Sequence, residues 1–222
     1  YGTNRFDSAG SLFNNVGICT SRANLEEDKG QYDMQEEVPL ITACCCLVRK
    51  KVLERTYLFD PDFFLYYEEL DLNIRVRKLG YKVVYVPRSV IYHKYSQSVK
   101  GKTARQTLLV KRFYGNINRA KVLVRHYPAK VLMQNLHLIL LSYLYYNYEC
   151  YFSLRAGIFW IMNFNYHVVK SLPPAFVERW KQKVSNPGWV SWMDYYGFRD
   201  YLRLIRASGK QWEERMRRLH PE

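Results

Sequence analysis

Residues 59–98 have the sequence FDPDFFLYYEELDLNIRVRKLGYKVVYVPRSVIYHKYSQS, the most informative stretch of the chain. Its apolar residues first recur at helical spacing, which predicts a helix over residues 67–79 that Gly80 ends as a C-terminal cap. Valine-rich segments then predict strands near residues 82–86 and 89–93. The residues expected on the buried face of the helix are Leu72, Val76 and Leu79. A helix followed by strands indicates an α/β protein.

Three acidic residues, Glu68, Glu69 and Asp71, lie at the start of this predicted helix. Aromatic residues directly precede them, and apolar surroundings disfavour the charged form of a carboxylate and raise its pKa. A carboxyl group tuned in this way can accept a proton near neutral pH, as a general base does. A purely structural role also fits, because acidic side chains stabilise the first turn of a helix against its macrodipole.

The order of these parts resembles the acceptor-side motif of family-2 glycosyltransferases, particularly the rhamnosyltransferase-like branch. The residues that carry the resemblance are Phe59-Asp60, Phe63-Phe64-Leu65-Tyr66-Tyr67-Glu68-Glu69-Leu70-Asp71-Leu72, Arg75, Arg77, Leu79-Gly80-Tyr81, Val84-Tyr85-Val86-Pro87 and Val90-Ile91-Tyr92-His93. The resemblance implies transfer of a sugar from a nucleotide-sugar donor to a hydroxyl of a glycan or lipid-linked acceptor, in cell-surface polysaccharide assembly. It also implies a GT-A-like α/β domain, with residues 1–99 as its acceptor-side half and residues 100–222 as a mainly helical, basic, membrane-associated region.

In the family, the second acid of the pair is the candidate general base, which removes the proton of the acceptor hydroxyl as its oxygen attacks the anomeric carbon. The matching residue here is Glu69, with Glu68 beside it. The family more often has Asp at this position, so the carboxylate of Glu69 is displaced by about one methylene. Asp71 matches a second acidic position, and we expect it to orient the site rather than to take the proton.

His93 matches a histidine that, in relatives of this fold, helps to bind the metal and diphosphate of the donor. Because no partner is visible in the sequence, it also fits an ordinary histidine at the end of a strand. Lys94, Gln97 and Ser98 follow where the family has a diphosphate-facing loop, so the resemblance assigns them to substrate binding. The usual glycine of that loop is replaced here.

A nucleotide-sugar donor leaves as a diphosphate, so a divalent cation, Mg²⁺ or Mn²⁺, or basic groups must neutralise the developing charge. Residues 1–58 contain no glycine-rich strand-to-helix turn of the kind that binds a nucleotide. In residues 60–62 a proline separates two aspartates, which fits a turn better than a metal-binding strand. Residues 7–10 resemble the segment after the family's metal motif, so we expect the main metal ligands to lie upstream of Tyr1.

Three consecutive cysteines lie in residues 41–48, which are predicted to form a strand before a short helix over residues 49–56. In a strand, Cys44 and Cys46 would face one side and Cys45 the other, as small buried apolar residues. This arrangement, and the odd total of 5 cysteines, suits neither a disulfide framework nor a metal cage. A reducing compartment is therefore expected.

Charge is concentrated in the middle of the chain. Residues 72–148 contain 15 basic and no acidic side chains, whereas residues 1–71 contain 7 basic and 13 acidic ones. The basic segment ends in the uncharged, tyrosine-rich residues 131–148, which approach the length of a membrane span but are unusually polar for one. We therefore expect interfacial helices on an anionic membrane surface, in a cytoplasmic protein that is peripheral on the inner face of the cell membrane. The alternative is an aromatic-rich helix that packs on the protein's own core.

Two other classes of function remain open from the sequence. A nucleic-acid-binding module would explain the basic segment and its tyrosines. It would not explain the order of the motif in residues 59–98, so no nucleic-acid partner is expected. A non-catalytic membrane-surface scaffold descended from a glycosyltransferase would explain every feature, including the lack of a donor-binding half.

Overall fold

The computed structural model of the chain describes residues 4–93, 103–181 and 187–193. Its strands are β1 (Ser11–Phe13), β2 (Cys19–Ser21), β3 (Glu36–Glu37) and β4 (Val84–Tyr85). Its α-helices are α1 (Lys50–Thr56), α2 (Glu68–Lys78), α3 (Ala104–His126), α4 (Ala129–Tyr148) and α5 (Ile158–Lys181). A π-helical turn, Glu149–Ser153, follows α4, and a 3-10 helix, Pro187–Trp192, follows α5. The described chain is an α/β protein with short strands and long helices.

The four strands form two antiparallel pairs, β1 with β2 and β3 with β4. The segment after β3 joins the two pairs. The Val38 N–H donates to the Val83 carbonyl at 3.0 Å, and Leu40 exchanges backbone hydrogen bonds with Ser11 at 2.9 and 3.2 Å. These few bonds connect the N-terminal strands to the segment that follows α2.

Helix α2 confirms the helix predicted over residues 67–79 to within a residue at each end. Gly80 ends it as predicted, because its φ of +80° is the left-handed conformation that glycine adopts without strain. Its N–H donates to the Arg77 carbonyl at 2.8 Å, and the Tyr81 N–H donates to the Val76 carbonyl at 3.3 Å. These two hydrogen bonds are those of a Schellman motif.

One hydrophobic core joins the strands, α2 and the long helices. On α2, Leu72 is buried as expected, but Leu70 and Ile74 enter the main core while Val76 and Leu79 are only half-buried. Members of this core are Phe13, Val16, Leu40, Phe63, Leu70, Ile74, Val122, Leu123, Tyr127, Val131, Leu138 and Ile139. They come from both sides of the predicted domain boundary, whose placement stays a prediction.

Helix α3 is the centre of the C-terminal part and begins with a capping box between Thr103 and Gln106. Helix α5 runs parallel to α3, and α4 runs antiparallel to it. Asn147 of α4 and Asn165 of α5 exchange side-chain hydrogen bonds at 3.2 and 2.9 Å. The contacts that set these directions are Phe113–Phe164 and Val124–Arg179 for α5, and Arg112–Glu149 and Arg119–Ser142 for α4.

Two predicted strands are wrong. Residues 41–48 form no strand. At the first of them, Ile41, the Asn73 side chain takes both backbone groups that a strand partner would use: its Oδ1 accepts from the N–H at 3.3 Å and its Nδ2 donates to the carbonyl at 3.1 Å. Residues 89–93 are exposed and also form no strand. The three consecutive cysteines are consequently exposed on a turn rather than buried in a sheet.

The other predicted elements are confirmed where the structure describes them. The helix over residues 49–56 is α1, the strand near residues 82–86 is β4, and the helices expected after residue 102 are α3, α4 and α5. Residues 194–222 lie outside the described part of the chain. No helix among the described residues is both long enough and apolar enough to cross a membrane.

Candidate active site

The paired acids of α2 follow a strained turn. Tyr66 and Tyr67 have φ values of +66° and +71°, and residues other than glycine adopt this conformation at a cost of about 1–3 kcal/mol each. Asn118 of α3 holds the turn, because its Nδ2 donates to the carbonyls of Leu65 and Tyr66 at 3.0 and 2.8 Å. Consecutive strained residues directly before two carboxylates are typical of functional sites.

Glu68 and Glu69 are half-buried in the first turn of α2. Burial, reinforced by the negative charge of Glu68, raises the pKa of Glu69 to about 7, and burial also raises the pKa of Glu68. The helix macrodipole favours the charged form by roughly 0.3–1 kcal/mol, whereas the change at Glu69 corresponds to roughly 3 kcal/mol. Burial therefore outweighs the dipole, and Glu69 is divided between its neutral and charged forms near pH 7.

Neighbouring elements complete the surroundings of Glu69. The positive charge of Lys111 on α3 partly offsets the rise in the pKa of Glu69. Burial, with a contribution from the charge of Glu69, raises the pKa of Cys19 on β2 well above its usual value. Within the described chain, Glu68 Oε2 is buried without a hydrogen-bond partner. Such an orphaned oxygen costs about 1–3 kcal/mol, and the hydroxyl of a bound acceptor could donate to it.

Asp71 lies in a buried ionic network that sequence analysis did not predict. Its Oδ1 accepts a hydrogen bond from His126 Nε2 at 2.7 Å, and its Oδ2 accepts one from Arg75 Nε at 2.7 Å. Burial alone would raise the pKa of Asp71, but the hydrogen bond from His126 and the charge of Arg75 outweigh it and lower this pKa to about 2. Asp71 is thus ionised and paired on both oxygens at neutral pH. Its orienting role stays a prediction, now with named partners.

The imidazole ring of His126 connects Asp71 to a second residue of α2, Lys78. Lys78 Nζ lies 2.9 Å from His126 Nδ1, and since an ammonium group can only donate, Nδ1 accepts and Nε2 carries the hydrogen. Burial lowers the pKa of His126 to about 4, and the charge of Lys78 adds to this effect. His126 is therefore neutral at pH 7 and ties both ends of α2 to α3.

His93, the predicted metal ligand, lies beside Asp7. Its Nδ1 is 2.8 Å from Asp7 Oδ2, although the two residues are 86 positions apart in the chain. A carboxylate and an imidazole can both bind divalent metals. Within residues 4–93, 103–181 and 187–193, however, no group of three or more His, Cys, Asp or Glu side chains could hold a metal ion. These residues do not make up a metal site by themselves, and the role of His93 as a ligand stays a prediction.

The remaining candidates divide into two groups. Lys94, Gln97 and Ser98, assigned by resemblance to substrate binding, lie outside the residues that the structure describes. Asp60 and Asp62 occupy a turn, as expected, and their carboxylates bind Arg125 of α3 at 2.5 and 2.7 Å. This ion pair fastens the loop that precedes the paired acids to α3.

The fold and the site have counterparts among known proteins. A family model described as Glycosyl transferase family group 2 matches residues 8–170. The chain belongs to this family. Two curated relatives of the family-2 chain are both named N-acetylglucosaminyl-diphospho-decaprenol L-rhamnosyltransferase, from Mycobacterium tuberculosis strains CDC 1551 / Oshkosh and ATCC 25618 / H37Rv. Each is 34% identical over 59 residues, which are 27% of this chain and 19% of the relative. No solved structure matches the chain.

The family match confirms the resemblance to family-2 glycosyltransferases. The chain spans only 19% of the length of either curated relative. The activity, acceptor and pathway of this family-2 chain are therefore matters of proposal.

The side chains that fix the turn and the carboxylates of the site could not be predicted from the sequence. Asn118 lies 52 residues from the Tyr66 carbonyl that it binds, and His126 lies 55 residues from Asp71. No periodicity or local motif links positions so far apart. The only available signal was the presence of polar residues within the otherwise apolar pattern of α3, which by itself names no partner.

Proposed function

We propose that this family-2 protein transfers a sugar from a nucleotide-sugar donor to a hydroxyl of a glycan or lipid-linked acceptor, with Glu69 as the general base. The acceptor oxygen bonds to the anomeric carbon, the bond from that carbon to the diphosphate breaks, and Glu69 takes the hydroxyl proton. The pathway that resemblance implies is cell-surface polysaccharide assembly. A divalent cation, Mg²⁺ or Mn²⁺, is the expected cofactor, since members of the family often use one.

The raised pKa of Glu69 is the observation that carries this proposal. An acid that merely stabilised a helix N-terminus would have its pKa lowered by the macrodipole. The pKa of Glu69 is instead raised to about 7, where a carboxylate is a more effective proton acceptor at physiological pH. The preceding residue, Tyr67, makes no side-chain capping bond, so the start of α2 is not built as an ordinary cap.

Replacement of Glu69 tests the assignment. In Glu69→Gln, turnover should fall by about 10²–10⁴-fold while binding of nucleotide sugar is retained, because only the proton acceptor is lost. The measurement is release of nucleoside diphosphate from a panel of nucleotide sugars with glycan and lipid-linked acceptors. Glu54→Gln on exposed α1 is the matched control. Full turnover in Glu69→Gln would refute the assignment, and sugar binding without turnover in the unmodified protein would favour the scaffold.

The proposed division of labour within the pair has a separate test. The charge of Glu68 helps to raise the pKa of Glu69, so Glu68→Gln should move the acidic limb of the kcat/KM profile to lower pH. The unmodified enzyme should show this limb near pH 7. If the limb stays in place in Glu68→Gln and disappears in Asp71→Asn, the assignment of Glu69 as the base is wrong.

We also propose that the protein contacts an anionic membrane through the outer faces of α4 and α5. Exposed large apolar residues recur at helical spacing on both helices. They are Met133, Leu136, Leu140, Leu141, Leu144 and Tyr148 on α4, and Ile158, Phe159, Met162, Tyr166, Val169, Phe176, Val177 and Trp180 on α5. Soluble monomers rarely expose contiguous apolar surface of this extent, so the two faces need a cover.

The charges around these faces favour lipid as the cover. Over residues 129–181, the exposed charged residues are all basic: Lys130, Arg155, Lys170 and Lys181. The two acids of this segment are less exposed, and Glu149 pairs with Arg112 while Glu178 pairs with Lys181. Basic side chains around an apolar helix face suit an anionic bilayer, because their stems lie along apolar groups while their charged ends reach the headgroups. The inner face of the cell membrane supplies such lipid.

Vesicle binding tests this contact. The protein should sediment with anionic vesicles, bind neutral ones more weakly, and be only partly released by high salt, since screening weakens the electrostatic part alone. Leu140→Gln combined with Leu144→Gln should reduce the affinity by about tenfold or more, because each leucine buries apolar area. Leu47→Gln is the control, since Leu47 is 98% exposed but lies elsewhere. Equal losses in both variants would contradict the assignment of the face.

A further inference from the structure

A basic cleft lies between α3 and α5, beside the loop that precedes the paired acids. Its volume is about 230 Å³, which is smaller than the roughly 300–1,000 Å³ of pockets that hold drug-sized ligands. The lining residues are Asp62, Ile117, Lys121, Arg125, His167, Lys170, Ser171 and Pro174. Four of these eight carry basic side chains and one is acidic, so the cleft suits a small anionic group.

Two of its cations, Lys121 and Lys170, form no ion pair with a carboxylate of the described residues. Lys121 Nζ donates to the backbone carbonyl of Asp62 at 2.5 Å, and Lys170 Nζ lies 5.6 Å from the centre of the Tyr166 ring. Among the residues that the structure describes, neither ammonium group forms an ion pair with a carboxylate. The one acid of the cleft, Asp62, is bound to Arg125 at 2.7 Å. An anion entering the cleft would meet two ammonium groups that form no ion pair, although the charges of Asp62 and Asp60 act on Lys121.

Further donors converge on the same place. The Arg125 side chain is buried, and its Nε has no hydrogen-bond partner within the described chain. The Ser171 hydroxyl donates to the Val168 carbonyl at 2.7 Å, which leaves its oxygen able to accept from a protonated phosphate. His167 lies at the same rim, with its ring 5.5 Å from that of Phe113. A phosphate group, with several acceptor oxygens, matches the cationic donors of the cleft, and a protonated phosphate could also donate to Ser171.

We infer that the cleft binds a phosphate group, and that its source is a lipid headgroup lying at the edge of the proposed membrane-binding face. Helix α5 joins the two surfaces: Lys170, Ser171 and Pro174 line the cleft, while the neighbouring Val169 and Phe176 belong to the exposed apolar face. A lipid could thus place its phosphate against the lysines and its chains along α5. This inference rests on the proposed membrane contact, and it goes beyond that contact by naming the headgroup chemistry and its residues.

The test compares two anionic lipids at equal surface charge. The full chain is titrated with phosphatidylcholine vesicles that contain either phosphatidylserine or phosphatidic acid, because only the latter exposes a phosphomonoester. We expect about fivefold tighter binding to phosphatidic acid, and loss of this preference when Lys121→Gln and Lys170→Gln are combined. Lys50→Gln combined with Lys51→Gln removes the same charge from exposed α1 and should leave the preference intact.

Each outcome decides the matter. Equal affinity for the two lipids, or a preference that survives loss of both cleft lysines, overturns the inference, whereas absence of vesicle binding altogether overturns the membrane contact itself. Lys170→Gln alone, at an exposed position, should reduce the preference and guards against misfolding of the double variant. Inorganic pyrophosphate distinguishes the sources: its competition with phosphatidic acid vesicles for the two lysines supports the headgroup, whereas its binding to the same lysines without any preference for phosphatidic acid assigns free phosphate.

Discussion

Helices α2 and α3, called here the inner layer, differ from helices α4 and α5. The inner layer binds its charged residues within the protein, whereas α4 and α5 expose apolar residues. The sequence concentrates 15 basic and no acidic residues within residues 72–148, yet many of these cations bind groups of the protein itself. Cations bound in this way include Arg75, Arg77, Lys78, Lys82, Arg105, Arg112, Arg119 and Arg125. The α4–α5 pair instead turns apolar residues outward. The number of cations in a segment therefore does not measure the charge that it offers to a partner.

Arg119 illustrates the inner layer. It is 1% exposed, donates to Ser142 Oγ at 2.7 Å and lies over the Tyr143 ring at 4.1 Å. A guanidinium group held in this way is not available to a membrane or a nucleic acid. The proposed membrane attachment therefore rests on the apolar outer face with its basic rim and not on such buried cations.

The largest effect should come from the buried network. Asp71→Asn removes the charge that pairs with Arg75 and accepts from His126, and loss of one partner from a buried ion pair typically costs about 3–5 kcal/mol. Glu54→Gln breaks the exposed pair with Lys50 at 3.9 Å and should cost less than about 1 kcal/mol. Urea unfolding measures both. Similarly small losses of unfolding free energy in the two variants would contradict a stabilising role for the buried network.

The two faces of α4 allow a comparison within one helix. Leu138 is 3% exposed and Leu144 is 64% exposed. Leu138→Ala should lower the free energy of unfolding by about 2–5 kcal/mol, because it leaves a cavity in the core. Leu144→Ala should change it by less than about 0.5 kcal/mol but weaken vesicle binding. A strongly destabilising Leu144→Ala would mean that the outer face packs against the protein itself.

A smaller effect concerns pH. The pKa of His126 is lowered from 6.5 to about 4 in the folded protein, so between these values the unfolded chain binds a proton that the native protein does not. The contribution of His126 to stability should therefore fall by up to about 3 kcal/mol as the pH drops through this window, while Glu69, whose pKa is raised to about 7, contributes in the opposite direction. Asp71, with its pKa lowered from 3.8 to about 2, extends the loss to lower pH. Urea midpoints from pH 7 to 4 measure the effect.

His126→Gln supplies the control for this pH dependence. Glutamine keeps a side-chain donor for Asp71 but does not titrate, so the loss of stability between pH 6.5 and about 4 should largely disappear. A variant that retains the full dependence would place its origin in other groups. Leu144 is exposed on α4, so substitutions there should leave the dependence unchanged.

The predictable part of the site is its local part. The paired acids at the start of α2, the cap at Gly80 and the turn at Asp60 and Asp62 all follow from residues within a few positions of one another. The strand predicted over residues 41–48 did not form, and at its first residue, Ile41, the backbone bonds are taken by Asn73, more than 30 residues away. Cys19 and Lys111 likewise reach Glu69 only through packing.

By itself, the sequence determined the position of α2, the order of its carboxylates and membership of the glycosyltransferase family, because helical periodicity, capping and motif spacing are short-range properties. Only the tertiary structure decided that Asp71 binds His126, that His93 lies beside Asp7, and which cations are buried. It also decided that the most apolar helices keep large side chains exposed. Burial and the distances between charges set these outcomes, and both depend on residues that are remote in the chain and close only after folding.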